Sequence, residues 1–228
     1  MCSRKGVICL IACFLLVFLM SPIALAQITA DGDGVIEPGE NKREELARAS
    51  QNPMANMISV PIQNNTNFKW GTLEKTQNVT NIQPVIPFNL TEDWLLISRT
   101  IAPIIYQPEF IEGEGSEFGL GDINQALFIG PSDPGSIIWG VGPIFLLPTA
   151  TDETLGAEKW GVGPAGVALT MRGPWVYGAL VQNIWSFADS GDTQRDDVNQ
   201  FLMQPFVNYN LGDGLAIGSS PIITANWE

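Results

Sequence analysis

From Trp175 to Phe187 every second residue falls into one of two sets. Trp175, Tyr177, Ala179, Val181, Asn183, Trp185 and Phe187 share one face of an extended strand; Val176, Gly178, Leu180, Gln182, Ile184 and Ser186 share the other. Residues 197–210 repeat the pattern, with Phe201, Met203, Pro205, Val207 and Tyr209 against Gln200, Leu202, Gln204, Phe206, Asn208 and Asn210. Residues 214–227 set Leu215, Ile217, Ile223, Ala225 and Trp227 against Ala216, Gly218, Thr224 and Asn226. In 76–88 the apolar set is Ile82, Pro84, Ile86 and Phe88, opposite Gln77, Asn81 and Gln83; residues 94–106 do not separate into two sets. From Asn56 onward no helical period appears, and Gly, Pro, Asp and Asn clusters mark off strand-length segments. The predicted strands are 57–68, 76–88, 94–106, 119–130, 136–148, 160–171, 174–187, 197–210 and 214–227.

Several of these are longer than a globular strand needs and suit a tilted bilayer crossing. Trp175 and Trp185 stand about 33 Å apart along a strand, which a tilt of about 40° projects to about 25 Å, the height of an outer-membrane apolar band between its aromatic girdles. The fold expected is an all-β, antiparallel up-and-down membrane β-barrel, preceded by a short helix. The rival is a soluble β-sandwich, for which Pro84, Pro143, Pro164, Pro205 and Pro221 speak, since each removes a ladder donor. Two echoes favour a meandering sheet: Trp139-Gly140-Val141-Gly142-Pro143 returns as Trp160-Gly161-Val162-Gly163-Pro164, and Gln83–Leu90 returns as Gln204–Leu211.

The N-terminus reads as a signal peptide over 1–26: Arg4 and Lys5, an apolar run from Val7 to Met20, and Ala24-Leu25-Ala26 before Gln27. Export to the outer membrane of a Gram-negative cell is therefore the expected location. Cys2, Cys9 and Cys13 all lie in that leader, so the mature chain would have no thiol, and the chain has no histidine. Of 11 Lys and Arg, loss of Arg4 and Lys5 leaves 9 against 24 acidic residues, a net −15. That balance argues against nucleic-acid partners, whose phosphates need basic patches.

Residues 27–55 form an acidic leader. Asp31, Asp33, Glu37 and Glu40 match part of a calcium loop, but Thr29 stands where an aspartate is wanted and Pro38 interrupts it; a solvated acidic segment accounts for the same residues. Glu40 to Ser50 reads as a short helix ending before Pro53. The barrel is assigned to 56–228.

Longer runs carry a resemblance. Glu45-Leu46-Ala47-Arg48-Ala49-Ser50-Gln51-Asn52-Pro53, Gln63-Asn64-Asn65-Thr66-Asn67-Phe68, Asn81-Ile82-Gln83-Pro84, Phe118-Gly119-Leu120-Gly121-Asp122, Leu147-Pro148-Thr149-Ala150-Thr151-Asp152, Asn199-Gln200-Phe201 and Ser220-Pro221-Ile222-Ile223-Thr224-Ala225-Asn226-Trp227-Glu228 resemble the bacterial meta-pathway phenol-degradation family, whose members are often labelled transporters and also "neuromedin U". The resemblance covers nearly the whole mature chain. It implies a transporter-like outer-membrane barrel with a role in uptake of aromatic compounds, and it brings no catalytic residues. Relatives run on through further strands to an aromatic end, whereas this chain stops at Glu228, so an incomplete barrel is expected.

Chemistry is sparse. Without histidine or cysteine in the mature chain the usual activated nucleophiles are missing, so no enzyme activity and no cofactor are expected. Glu109, Glu112, Glu114 and Glu117 lie among glycines and read as a solvated loop. If the apolar faces meet lipid, the residues expected to line a pore are Gln77, Asn81, Gln83, Arg99, Asp122, Asn124, Gln200, Gln204, Asn208 and Asn226. Such a lining suits small neutral or weakly polar solutes better than ions; the same side chains would also fill a narrow barrel by bonding one another. The expected aromatic belt is Trp175, Tyr177, Trp185, Phe187, Tyr209 and Trp227, with outer-membrane lipid as the partner.

Overall fold

The computed structural model describes residues 46–109, 112–113, 115–190 and 195–227, together with the backbone of 8–9. The signal peptide, apart from that pair, and the acidic residues Asp31, Asp33, Glu37 and Glu40 lie outside the described residues. Residues 46–50 are helical, at the end of the segment where the spacing predicts a helix.

The rest is one antiparallel sheet curled into a half-barrel. Its strands are β1 (Ile8–Cys9), β2 (Ile62–Trp70), β3 (Lys75–Ile82), β4 (Val85–Asn89), β5 (Trp94–Gln107), β6 (Glu117–Leu120), β7 (Ile123–Pro131), β8 (Ile138–Leu147), β9 (Lys159–Arg172), β10 (Trp175–Asp189), β11 (Asn199–Gly212), β12 (Leu215–Ser219) and β13 (Ile223–Asn226). The main path runs β1-β13-β11-β10-β9-β8-β7-β5-β3-β2; β4 and β6 also pair with β5, and β12 pairs with β11. Eight of these twelve pairings join strands consecutive in sequence, and three others skip a half-strand that pairs with the same neighbour, which is the up-and-down arrangement the hairpin spacing predicts.

Three predicted strands are interrupted, each for a visible reason. The strand over 76–88 divides at Gln83-Pro84 into β3 and β4, yet both halves keep one register against β5 (Ile82 opposite Ala102, Val85 opposite Arg99). The strand over 214–227 divides in the same way around Pro221 into β12 and β13, both on β11. The strand over 119–130 divides at Gly121-Asp122 into β6 and β7.

Of the prolines left inside strands, Pro143 and Pro164 sit where the ladder lapses, whereas Pro205 of β11 keeps its register opposite Ala179 of β10. Pro143 of β8 lies directly opposite Pro164 of β9. Among the described residues β7–β8 pairing lapses between Ala126/Ile144 and Ile129/Val141, and β9–β10 pairing lapses between Gln182/Ala165 and Trp185/Val162. The N–H that each proline lacks leaves a carbonyl of the neighbouring strand, that of Leu127 or Asn183, without its ladder donor. The glycine before each proline completes the arrangement. A Cβ at Gly142 would stand 1.8 Å from the Leu127 carbonyl oxygen, and one at Gly163 would stand 1.6 Å from that of Asn183. With hydrogen in that place, each Cα–H points at the carbonyl that the proline leaves without an N–H.

Between β11 and β12 the Asp213-Gly214 turn has both residues at positive φ, 54° and 77°, the twist that a two-residue hairpin requires. The apolar core lies on the inner face of the sheet: Leu95 and Ile97 of β5, Ala126 and Phe128 of β7, Ile144 and Leu146 of β8, Ala165, Val167 and Leu169 of β9, and Val176, Leu180 and Ile184 of β10. Met54, just beyond the helical residues, packs into it over Gly130 and Gly140.

Candidate functional site: the two faces of the sheet

Alternation along the paired strands gives the sheet an outer face opposite that core. Its aromatic residues gather at the two ends of the strands. Trp94, Trp139, Trp175, Tyr177 and Tyr209 stand at the end where β9 turns into β10, linked by register through Trp94 opposite Pro131, Trp139 opposite Ala168 and Trp175 opposite Tyr209. Trp94 meets Trp139 edge-on with ring centroids 6.3 Å apart, and Trp175 meets Tyr209 at 4.8 Å. At the other end stand Trp160, Trp185, Phe187 and Trp227, with Trp160 opposite Ala188 and Trp185 opposite Asn199. The Trp227 amide donates to the Asn199 carbonyl at 3.0 Å.

Between these two rims the outer face carries Val141, Pro143, Val162, Pro164, Ala179, Val181, Phe201 and Met203. A shallow groove runs over the two prolines toward Val181 and Phe201. The rim aromatics and the valines between them are substantially exposed, and no second layer of described residues covers them. The few polar groups on this face bond one another: Thr100 and Ser98 to Gln125 at 2.6 and 3.0 Å, Asn183 to Asn199 at 3.2 Å. On the edge hairpin Asn64 and Asn78 exchange bonds of 2.8 and 3.0 Å, with Thr80 and Thr66 as further acceptors.

Inside, the sheet has an apolar middle and polar flanks. Ile97, Phe128 and Val176 are 0 % exposed, and Ile144 is 1 % exposed. Gln182 is the buried amide in this region. On the β2–β3–β5 side an amide chain follows the wall: Asn67 donates to Gln77 at 2.8 Å, and Gln77 to Gln107 at 2.6 Å. Gln83 donates to Gln63 at 3.0 Å and accepts from Arg99 Nη2 at 2.6 Å. Asn81 and Asn124 share that face. On the far side Gln200, Gln204 and Asn208 of β11 and Asn226 of β13 face inward, Gln200 opposite Asn226.

The predicted pore-lining residues other than Asp122 thus form two groups, separated by the three apolar strands β8, β9 and β10. A continuous amide lining does not exist among the described residues. The difference has a simple cause: β7 to β10 carry apolar side chains on both faces, so polarity alone could not tell inside from outside.

Asp122 belongs to neither group. Its carboxylate accepts from the Ala150 amide at 3.2 Å and the Ala157 amide at 2.6 Å, clasping the loop between β8 and β9 to the start of β7. Both carboxylate oxygens are thereby committed to backbone. In the same loop Asp152 accepts from the Thr154 amide at 2.9 Å and the Thr154 hydroxyl at 2.7 Å. These bonds, the backbone one first, hold the Asp152 carboxyl below its ordinary value of 3.8. Glu109 is held low in the same way by Lys75 and by the Gly113 amide. Glu112 and Glu117 share its loop region, and Glu114 lies outside the described residues.

Charge is distributed unevenly along the strands. The charged strand residues are Lys69, Lys75, Arg99, Glu117, Lys159, Arg172 and Asp189, and all but Arg99 stand at a first, last or next-to-last position. Lys159 pairs with Asp189 and, at 3.4 Å, with Asp197; Arg195 pairs with Glu158 at 3.0 Å. Among the described residues no group of three or more acidic side chains is placed to hold a metal ion.

All six predicted belt residues lie on the outer face, divided between the rims: Trp175, Tyr177 and Tyr209 at one, Trp185, Phe187 and Trp227 at the other. Trp94, Trp139 and Trp160 join them, and the sequence reading left them out. The recurrence of Trp139 and Trp160 in the Trp-Gly-Val-Gly-Pro echo was the signal that could have placed them.

No family model, no curated protein and no solved structure matches the chain.

Proposed function

We propose that this protein is a β-barrel protein of a Gram-negative outer membrane, acting as a passive, transporter-like channel for small molecules of low polarity, aromatic ones included. The observation that carries the reading is the outer face. An apolar middle bounded by two aromatic rims, with strand charges confined to strand ends, is the surface that a bilayer's hydrocarbon and two interfaces solvate best. A water-soluble sandwich would bury such a face under a second sheet. The resemblance to the meta-pathway phenol-degradation family supports the same reading and is the ground for aromatic solutes.

The test has two arms. Cell fractionation should leave the protein with outer membrane until detergent is added; recovery in the soluble fraction would overturn the membrane reading. Purified protein in liposomes should pass phenol or benzyl alcohol faster than empty vesicles do. A second reading is favoured by the dry middle of the inner face: a structural barrel without transport. Membrane residence with no solute flux would select it.

A further inference from the structure

We propose that Arg99 is an anion-recognition group on the inner face, taking the carboxylate of a small organic acid whose apolar body lies against the wall beside it. The idea deepens the channel reading and rests on it for a route by which the acid arrives.

Arg99 sits in mid-strand on β5, opposite Ala126 of β7 and Val85 of β4, both core residues. Every other charged strand residue stands at or beside a strand end, where water or a counter-charge is within reach. A guanidinium has five N–H donors arranged to grip a planar anion in two places. Among the described residues Arg99 uses one of them, on the neutral Gln83 amide oxygen at 2.6 Å, and no carboxylate forms an ion pair with it. Asp122, the other charged residue in the expected pore lining, is spent on Ala150 and Ala157.

Holding a full charge in a largely apolar wall costs stability unless an opposite charge or several acceptors meet it. Gln83 is itself fixed by Gln63, so the guanidinium is steered by one donor, and its other donors have no acceptor among the described residues. Ile101 and Pro103, half-buried and next along the same face of β5, supply the apolar wall. The chemistry that completes this arrangement is a monocarboxylate with a compact hydrocarbon or aromatic body: the anion on the free donors, the body on the aliphatic wall.

The experiment uses the full-length protein in detergent micelles, with radiolabelled benzoate as probe and equilibrium dialysis as readout. Benzoate should bind the wild type, and Arg99→Met should weaken it by about 10-fold or more, the loss expected for a charge-assisted bidentate contact. Arg99→Lys should retain part of the affinity. Benzyl alcohol, of the same shape without charge, should bind wild type and Arg99→Met alike, and Arg172→Gln, at a strand end on the outer face, should leave benzoate binding unchanged. Far-UV circular dichroism and unheated gel mobility confirm folding, and Arg99→Gln carries the comparison if Arg99→Met does not fold.

No benzoate binding to the wild type, or an equal loss of benzoate and benzyl alcohol in Arg99→Met, overturns the proposal. Flux across liposomes is read separately. Arg99-dependent binding without flux removes the channel and leaves the site. Flux with no dependence of benzoate binding on Arg99 leaves the channel and removes the site.

Discussion

Pro143 and Pro164 lie face to face on adjacent strands, and each is preceded by a glycine whose missing side chain admits a carbonyl from the strand beyond. The pairing makes the two Gly-Pro steps parts of one device. The N–H that each proline lacks is replaced by a close Cα–H approach, on the side where the ladder lapses.

Substituting either glycine should therefore be costly. In Gly142→Ala and Gly163→Ala the new methyl meets backbone, which cannot swing aside, and each should lose about 2–3 kcal/mol in reversible urea unfolding. Gly166→Ala is the control, because its Cβ would find Val141 Cγ1 at 3.7 Å, an ordinary contact. It should change stability by less than about 0.5 kcal/mol.

A charge placed on the outer face separates hydrocarbon from water as its solvent. Val181 lies in the apolar middle of that face and is 38 % exposed. In a bilayer Val181→Arg should cost about 2–4 kcal/mol of folding free energy, measured by urea titration in phosphatidylcholine vesicles. A cost below about 0.5 kcal/mol would mean that water already bathes this surface.

Asp122 should prove structural. Asp122→Ala leaves the Ala150 and Ala157 amides without their acceptor, so stability should fall by about 1–3 kcal/mol. Proteolysis within 148–158 should quicken in the variant, while benzyl alcohol uptake stays at the wild-type rate.

The Asp152 turn carries a pH signature. Its folded carboxyl is held below 3.8, so the stabilisation is complete above that value and is lost as pH falls through the lower folded value. The Thr154 amide resonance should titrate with a midpoint below 3.8. Asp152→Asn should abolish that titration while keeping the cap, since an amide oxygen accepts the same bond.

Much of the fold was legible because hairpin strands announce themselves locally. The predicted 94–106, 136–148, 160–171 and 174–187 fall within about two residues of β5, β8, β9 and β10, and proline marks the division of 76–88 and 214–227. Faces were harder to read. In β5, Leu95 and Ile97 enter the core while Trp94 and Leu96 stand outside, so hydropathy is high on both sides and alternation disappears. That blurred strand is the one that holds Arg99. The clasp made by Asp122 is hidden for a different reason: its partners are more than twenty residues away in a loop, and nothing in the flanking sequence signals them.

The placement of charge at strand ends has a consequence for depth. In the proposed setting Arg172, on the outer face at the end of β9, acts as a stop, because sliding the chain along the membrane normal would carry it into oil, whereas the Lys159–Asp189 pair at the opposite strand ends lies on the inner face with Lys159 buried. Such an immersion costs up to about 2–4 kcal/mol at mid-depth. In that setting the two aromatic rims would match the molecule to a bilayer of one thickness, and a thicker or thinner host would have to deform around it.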